Sequence, residues 1–506
     1  MEHVEVIVIG AGSSGGVVAS RLTEDPTRHV LLLEAGPDFP DEHEVPPLFA
    51  VSGEHSWLVA GAPELDWRYW NADRAQATAG QRVRLARGKL VGGTSMVNAT
   101  IAARGAPYDY DRWERMGNPG GSWADILPYM IRIETDLDFG DLPYHGSEGP
   151  IRVQRYPRET WAEVNRAFFD GCLELGFRHA PDLNAPDAMD GVVGPLAHNR
   201  FNEIRQGTLV TYLREARQRP NLTIRGGATV DRVLIEGDRA VGVRYVDGLG
   251  QARDVFADTV VVSAGVYGSP AILQRSGIGR SRVLKPLGID QKADLPVGEH
   301  LLDHPGCAFF FHAPALSGAT GRLFAANARG PKAASGELEW QVHPFPIGHE
   351  TGKAGLWIYL PRQDAEGAVE ITSADPTTPP LIDHCYNTQD SDFRRFDLAL
   401  DFCEQLIQTP SFAKHGARSL MGDASHRDIV RAGIASANHQ AGTCKMGPAS
   451  DKTSVVGSDL NIHGVSNLMV ADASIFPDNI MHNTNFTCMV VGEIAADLVS
   501  GKRVAR

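Results

Sequence analysis

The stretch Ser436–Gly447, SANHQAGTCKMG, sets a histidine just ahead of a Gly-Thr-Cys turn. A neutral imidazole titrates near ordinary operating pH and is the side chain most often used as a general base. Alone, His439 has four readings: a base, half of a nucleophile pair with Cys444, a metal ligand with Cys444 and His463, or a hydrogen-bonded structural histidine. A Cys/His pair needs a third orienting group and an oxyanion site, and the sequence offers neither. The spacing of His439, Cys444 and His463 matches no recognised metal set. The choice between base and structural histidine depends on which cofactor lies nearby.

A second stretch bears on that cofactor. Val4 to Ile9 is a short, apolar, β-branched run of the kind found in buried parallel strands. It leads into Gly10-Ala-Gly12-Ser13-Ser14-Gly15, then a helical segment from Ser14 to Leu22, then a second apolar strand, Val30 to Leu33, ending in Glu34. In this pattern Gly10 makes the tight turn, Gly12 lets backbone N–H groups approach a pyrophosphate, and Gly15 lets helix and strand pack closely. The positive end of the helix faces the phosphates, and Glu34 can accept hydrogen bonds from ribose hydroxyls. Strand, turn, helix and terminal acid together point to a bound dinucleotide. The motif does not separate NAD from FAD, but an acid at the ribose disfavours NADP.

Further ordered motifs follow: RGKLVGGTSMVN (Arg87–Asn98), GVYGSPAILQRSGIG (Gly265–Gly279), HGSEGP from His145, DHP at Asp303–Pro305, DASIFP from Asp472, and NTN at Asn483–Asn485. With the Gly10 fingerprint, this set resembles the glucose–methanol–choline (GMC) oxidoreductases, from about Val4 to Leu498. Members of that family carry FAD and oxidise alcohols. One departure is Val266, where the second signature usually has a small or hydroxylated residue.

The resemblance implies an α/β fold: a Rossmann-type FAD-binding domain with a second substrate domain on an antiparallel sheet. Arg87, Gly92, Gly93, Thr94 and Asn98 would sit against the cofactor. Val230 would contact the adenine through its backbone, and Asp472 and Ala473 would lie near the ribityl chain and phosphates. Ser13, Ser14, Ala264, Asn483 and Thr484 complete the expected cofactor set. Some members attach FAD through a histidine just before the residue matching Asn98; here that position is Val97, so noncovalent FAD is expected. The resemblance also makes His439 the base that takes the hydroxyl proton while the α-hydrogen goes to flavin N5 as hydride. Asn483 would orient the substrate oxygen, since an amide cannot take a proton. His482 is adjacent, and a one-residue slip would give a His/His pair. His145 and His304 are expected to be structural or at the pocket edge, and His343 and His349 to line the substrate side.

The expected reaction is oxidation of a hydroxymethyl group on a small aromatic, heteroaromatic or furan compound to the aldehyde, with electrons passing to O2 to give H2O2. The likeness is greatest to hydroxymethylfurfural- and pyridoxine-type oxidases. The alternatives are a choline-type dehydrogenase using another acceptor and a FAD-containing hydroxynitrile lyase. Choline is disfavoured because no acidic residue can be assigned to a cation site.

The chain of 506 residues exceeds one small core. The dinucleotide domain is expected to be discontinuous, from 1–155, 201–300 and 438–506, with 156–200 and 301–437 forming the substrate domain. Parallel-strand features recur at Leu222–Arg225, Arg232–Ile235, Thr259–Ser263 and Leu468–Ala471, while runs such as GAVEIT suit an antiparallel sheet. The Gly/Ala-rich stretch 317–336 reads as a mobile loop. A net charge of −14 argues against nucleic acid or an anionic membrane as partner. Six scattered cysteines without a C-x-x-C pair suit reduced thiols and no metal site. With no apolar run long enough to span a bilayer, a soluble cytoplasmic enzyme is expected.

Overall fold

Two sheets organise the chain in the computed structural model, which describes residues 2–41, 44–46, 64–318, 321–348 and 351–502. His349 lies outside the described residues. Among those described, no helix is long and apolar enough to cross a membrane, and all six cysteines are free.

The first sheet has seven strands. Leu222–Arg225, Val30–Leu33, Glu2–Ile9 and Ala252–Val262 lie side by side in that order, mutually parallel. Val6 to Ile9 are at most 2% exposed and Val30 to Leu33 likewise, so both strands are apolar on both faces. Such strands need helices on each side, and the chain supplies them: Gly15–Leu22 follows the first strand and packs beside the last helix, Asn485–Val499. The eleven-residue strand Ala252–Val262 serves two neighbours. Its first half pairs antiparallel with Arg239–Val246, and its end pairs parallel with Leu468–Val470.

One expectation is corrected here. The segment Arg232–Ile235 belongs to Thr229–Glu236, which pairs antiparallel with Arg239–Val246 in a hairpin. A short apolar run does not reveal strand direction; the tight connection between the two strands imposes it.

The second sheet has eight strands. Pro305–His312, Lys353–Tyr359, Gln341–Gly348 and Ala326–Arg329 form its antiparallel centre, flanked by Val192–Pro195 on one side and Arg418–Ser419 on the other. Ala326–Arg329 lies inside the stretch read from sequence as a mobile loop, yet all four residues are buried. Small residues that look loop-like by composition here fill the crowded middle of a sheet. The GAVEIT run does contribute a strand, Ala368–Glu370, in a separate antiparallel pair with Leu381–Asp383.

Candidate active site

A cavity of about 1120 Å³ runs between the two sheets. That exceeds the roughly 300–1,000 Å³ of a single drug-sized ligand site. One end is walled by Glu34, Val230 and Ala228. The middle passes Gly10, Gly12, Ser13 and Ser14 beside Gly93 and Thr94, and the far end is closed by His439, Asn483 and the aromatic rings of the second sheet.

The middle is shaped by missing side chains. Gly10 turns with φ +92°, and a Cβ there would sit 2.5 Å from the Ser263 carbonyl oxygen. Gly93, at φ +51°, abuts Gly12 so closely that its Cβ would lie 2.8 Å from the Gly12 Cα. Two glycine turns distant in sequence thus form one bare-backbone cradle. Ser13 donates to Asn485 Oδ1 at 2.8 Å and Ser14 to the Cys488 carbonyl at 2.7 Å, which ties the cradle to the start of the last helix. Asn485 Nδ2 is buried in this wall without a partner. An uncovered backbone, two helix N-termini and an unspent amide donor suit the pyrophosphate of a dinucleotide.

The acids of the cavity are already engaged. Glu34 accepts from the N–H groups of Ala11 at 3.0 Å and Gly36 at 2.9 Å, and burial raises its pKa to about 6. Asp472 accepts from Gly265 N–H at 2.8 Å, Ser269 Oγ at 2.5 Å and Ser474 N–H at 2.8 Å. It therefore caps the helix Gly265–Arg275 while lining the cavity, and burial pushes its pKa up. Asp66 pairs with Arg84 and accepts from Arg87 N–H at 3.0 Å. Arg87 donates to the carbonyls of Ala86 at 2.9 Å and Asn438 at 3.2 Å and lies over the Tyr267 ring. Of the remaining residues named from sequence, Asn98, Ala264, Ala473 and Thr484 line the cavity; Gly15 and Gly92 stand just behind the wall. Val97 presents only an apolar side chain there.

His439 is placed by a long-range pairing. Ala435–Ser436 bridges to Pro305–Gly306, which sets His304 beside the turn that carries His439. Asp303, held buried, accepts from His439 N–H at 3.1 Å, Ser436 Oγ at 2.5 Å, Tyr386 Oη at 2.5 Å and Gln440 Nε2 at 3.2 Å. The turn itself needs Asn438 at φ +64°, a conformation asparagine tolerates.

The hydrogen bonds then fix the imidazole's tautomer. His304 Nε2 is 2.8 Å from the Ile480 carbonyl, which can only accept, so His304 carries its proton there. Its Nδ1 must accept from His439 Nδ1–H at 2.9 Å. His439 Nε2 is left with a lone pair, 2.8 Å from the Asn483 Nδ2 donor, at the cavity surface. Burial, then the proximity of His304, Arg87 and His343, holds the His439 pKa well below 6.5. Burial also lowers that of His304 to about 4. Both rings are neutral at ordinary pH, so His439 presents an unprotonated base nitrogen to the cavity, beside the Asn483 amide.

The neighbour His482 points elsewhere. Its Nδ1 accepts from Gln341 Nε2 at 2.8 Å, and the residue does not line the cavity. Gln341 also donates to the Met481 carbonyl at 2.5 Å and accepts from Tyr359 Oη at 2.8 Å, so it ties the 481–483 loop to the second sheet. Alternation along two strands puts His343 and Phe345 on one cavity-facing surface with Trp357 and Tyr359. Tyr359 stands edge-on to His439 at 6.1 Å between centroids.

Sequence reasoning missed the contact of His304 with His439; DHP marked the position but not the partner. It also missed the aromatic wall of Tyr359, Trp357 and Phe345, whose period-two spacing was legible. His145 lies away from the cavity in an ion network with Glu134, Asp136 and Asp182. Glu134, Asp136 and His145 are close enough to hold a metal, but Arg104 and Arg155 already pair Glu134 and Asp136.

Fold and site together define a dinucleotide-cofactor enzyme with a neutral histidine at the inner end of an aromatic chamber. The chain belongs to the GMC oxidoreductases: the family's N- and C-terminal models match residues 4–306 and 363–492. It is 35% identical to oxygen-dependent choline dehydrogenase 1 of Chromohalobacter salexigens, over 98% of this chain and 95% of that one. A choline dehydrogenase of Klebsiella pneumoniae is 33% identical over 99% and 96% of the two chains. Among solved structures, pyridoxine 4-oxidase from Mesorbium loti superposes with a TM-score of 0.89 at 28% identity, covering 99% and 100% of the chains. A fungal aryl-alcohol oxidase, at TM-score 0.84 and 20% identity over 99% of each chain, shares the fold. The protein is an FAD-dependent alcohol oxidoreductase.

Proposed function

We infer that this enzyme oxidises the hydroxymethyl group of a small aromatic or heteroaromatic alcohol to the aldehyde. The observation that carries the reading is the unprotonated Nε2 of His439, set beside the Asn483 amide at the head of a chamber walled by Tyr359, Trp357 and Phe345. When bound, FAD would supply the electron sink, accepting the α-hydrogen with its two electrons as hydride; that hydrogen, the two electrons and the hydroxyl proton would account for the reduction of O2 to H2O2.

His439 takes the hydroxyl proton at Nε2. Its Nδ1–H stays committed to His304, so the ring becomes an imidazolium without turning over. Asn483 donates to the substrate oxygen and fixes its position. The aromatic wall holds the ring and excludes water, which strengthens both polar contacts. In this reading the cofactor is held, without a covalent bond at Val97, by Gly10, Gly12, Ser13, Ser14, Glu34, Arg87, Gly93, Thr94, Asn98, Val230, Ala264, Asp472, Ala473 and Thr484, with Gly15 and Gly92 shaping the turns behind. We assign 1–155, 201–300 and 438–506 to the FAD-binding domain and the remainder to the substrate domain.

Oxidation of choline is the second reading. It is favoured by the names of the sequence relatives and by rings able to face a quaternary ammonium. Against it, every carboxylate among the described cavity-lining residues is engaged elsewhere, and the Arg87 charge acts on His439.

The test is a visible spectrum of the FAD-containing enzyme without air, as benzyl-type alcohols, choline and sugars are added. Bleaching by hydroxymethyl aromatics and recovery with H2O2 on admitting air are expected. Bleaching by choline alone would overturn the aromatic reading. Cleavage of a cyanohydrin with the flavin still yellow would point to a lyase.

A further inference from the structure

The buried histidines of the described residues nearly all have hydrogen-bond partners. His304, His439, His482 and His384 each have at least one, the last with Tyr267 Oη at 2.9 Å. His343 is the exception. It is 9% exposed, lines the cavity, and makes no hydrogen bond among the described residues. Its neighbours are rings: Phe324 at 5.4 Å and Tyr359 at 6.1 Å between centroids, with Trp357 opposite it in register. Burial lowers its pKa to about 4, so the ring is neutral, with one N–H donor and one acceptor nitrogen.

A second unspent group lies alongside. Ala328 pairs with Val342, so the antiparallel register sets Asn327 opposite His343. Asn327 also lines the cavity, and its Oδ1 is buried with no partner. Its Nδ2 is used, donating to the Val342 carbonyl at 3.2 Å. A buried polar atom without a partner, such as Asn327 Oδ1, is costly, and the His343 ring beside it opens on the cavity. A ligand group that pairs both offsets that cost.

We propose that His343 and Asn327 form a second polar subsite of the chamber, which selects alcohols carrying a further neutral hydroxyl at the far end from the reacting carbon. A hydroxyl is the complementary group, since it can donate to one partner while accepting from the other. A carboxylate would find no cation in this pair, and an ammonium would find no anion. The substrate class is therefore a small aromatic or heteroaromatic ring bearing a hydroxymethyl group and a second, uncharged hydroxyl. This inference rests on the aromatic-alcohol reading above.

The test compares two ring alcohols of nearly equal size: para-bis(hydroxymethyl)benzene and para-ethylbenzyl alcohol. The FAD-containing enzyme is assayed by anaerobic flavin reduction, with the diol corrected for its two equivalent groups. Wild type should prefer the diol in kcat/KM by about tenfold or more, because a site built to pair a hydroxyl rejects the analogue that lacks it. His343→Phe should keep its FAD but lose the preference, the kcat/KM ratio of the two alcohols falling toward one whatever the absolute rates. His343→Gln, which keeps a donor and an acceptor, should restore part of it and guards against a folding defect in the phenylalanine variant. No preference in wild type, or a preference that survives in His343→Phe, would overturn the subsite. If neither compound bleaches the wild-type flavin while choline does, the aromatic reading fails and the subsite falls with it.

Discussion

Replacing His439 with alanine removes the base nitrogen that faces Asn483, and the size of the loss can be worked from the site. A positioned general base contributes about 10²–10⁴-fold, which is about 3–5 kcal/mol of barrier. His439 is neutral across ordinary pH because burial holds its pKa well below 6.5. Wild-type flavin reduction should therefore be nearly flat from about pH 6.5 upward. In His439→Ala the proton must leave to solvent hydroxide, so the residual rate should rise about tenfold per pH unit over the same range. The assay is anaerobic stopped-flow bleaching of the flavin by benzyl alcohol at saturating concentration, from pH 6.5 to 9.5, with FAD content checked for each preparation. The cradle at Gly12 and Gly93 is untouched, so FAD should remain bound. A His439→Ala enzyme that keeps its FAD and reduces it within about threefold of wild type, with a flat pH profile, would refute the base assignment.

Three more outcomes are expected. His304→Phe keeps the ring that stacks on Tyr359 at 5.8 Å but removes the acceptor for His439 Nδ1–H; kcat should fall about 10- to 100-fold with KM little changed, since one buried hydrogen bond and an orphaned donor are lost, and an unchanged kcat would count against the tautomer assignment. Gly93→Ala should lower the ratio of flavin to protein absorbance sharply, because the new Cβ meets backbone, whereas Gly250→Ala, at φ +77° with nothing within 4 Å, should leave that ratio intact. Burial lowers the pKa of His198 and His384 to about 3 and of His304 and His343 to about 4. The unfolded chain binds protons at these groups below about pH 6.5 and the folded one does not, so their contribution is intact above that pH and lost as pH falls toward 4, at about 1.4 kcal/mol per histidine per pH unit. Thermal scans should show Tm dropping between pH 6.5 and 5, less steeply in His384→Phe; a Tm that holds or rises would contradict this.

The N-terminal strand–turn–helix unit was legible because its information is local. Strand, turn, helix and acid occupy consecutive residues, and the expected strand Val30–Leu33 is the strand observed. The helix begins at Gly15, one residue after the expected start. Asn483 could be singled out by pattern, but its distinction from His482 depends on Gln341, a strand residue remote in sequence that holds His482 away. The role of His304 had no local signal at all, since it arises from a bridge between Pro305 and Ser436. Ala326–Arg329 was misread for the same reason: its strand character comes from partners on both sides, not from its own composition. The aromatic wall was within reach, because His343/Phe345 and Trp357/Tyr359 repeat with period two, the spacing that puts neighbours on one sheet face.

The link between the first turn and the last helix has a consequence for how this enzyme is made. Ser13 meets Asn485, 472 residues away, Ser14 meets Cys488, and Arg21 pairs with Glu493 at 2.9 Å. A ribosome delivers the glycine turn first and its closing helix nearly last, so throughout most of synthesis the cradle has only one wall. The apolar first strand and its turn thus wait for their last partner until the chain is nearly finished, and FAD capture is expected only then. Arrested or C-terminally clipped chains should be colourless even where the first sheet has formed, which makes yellow colour a direct report that translation reached the final helix.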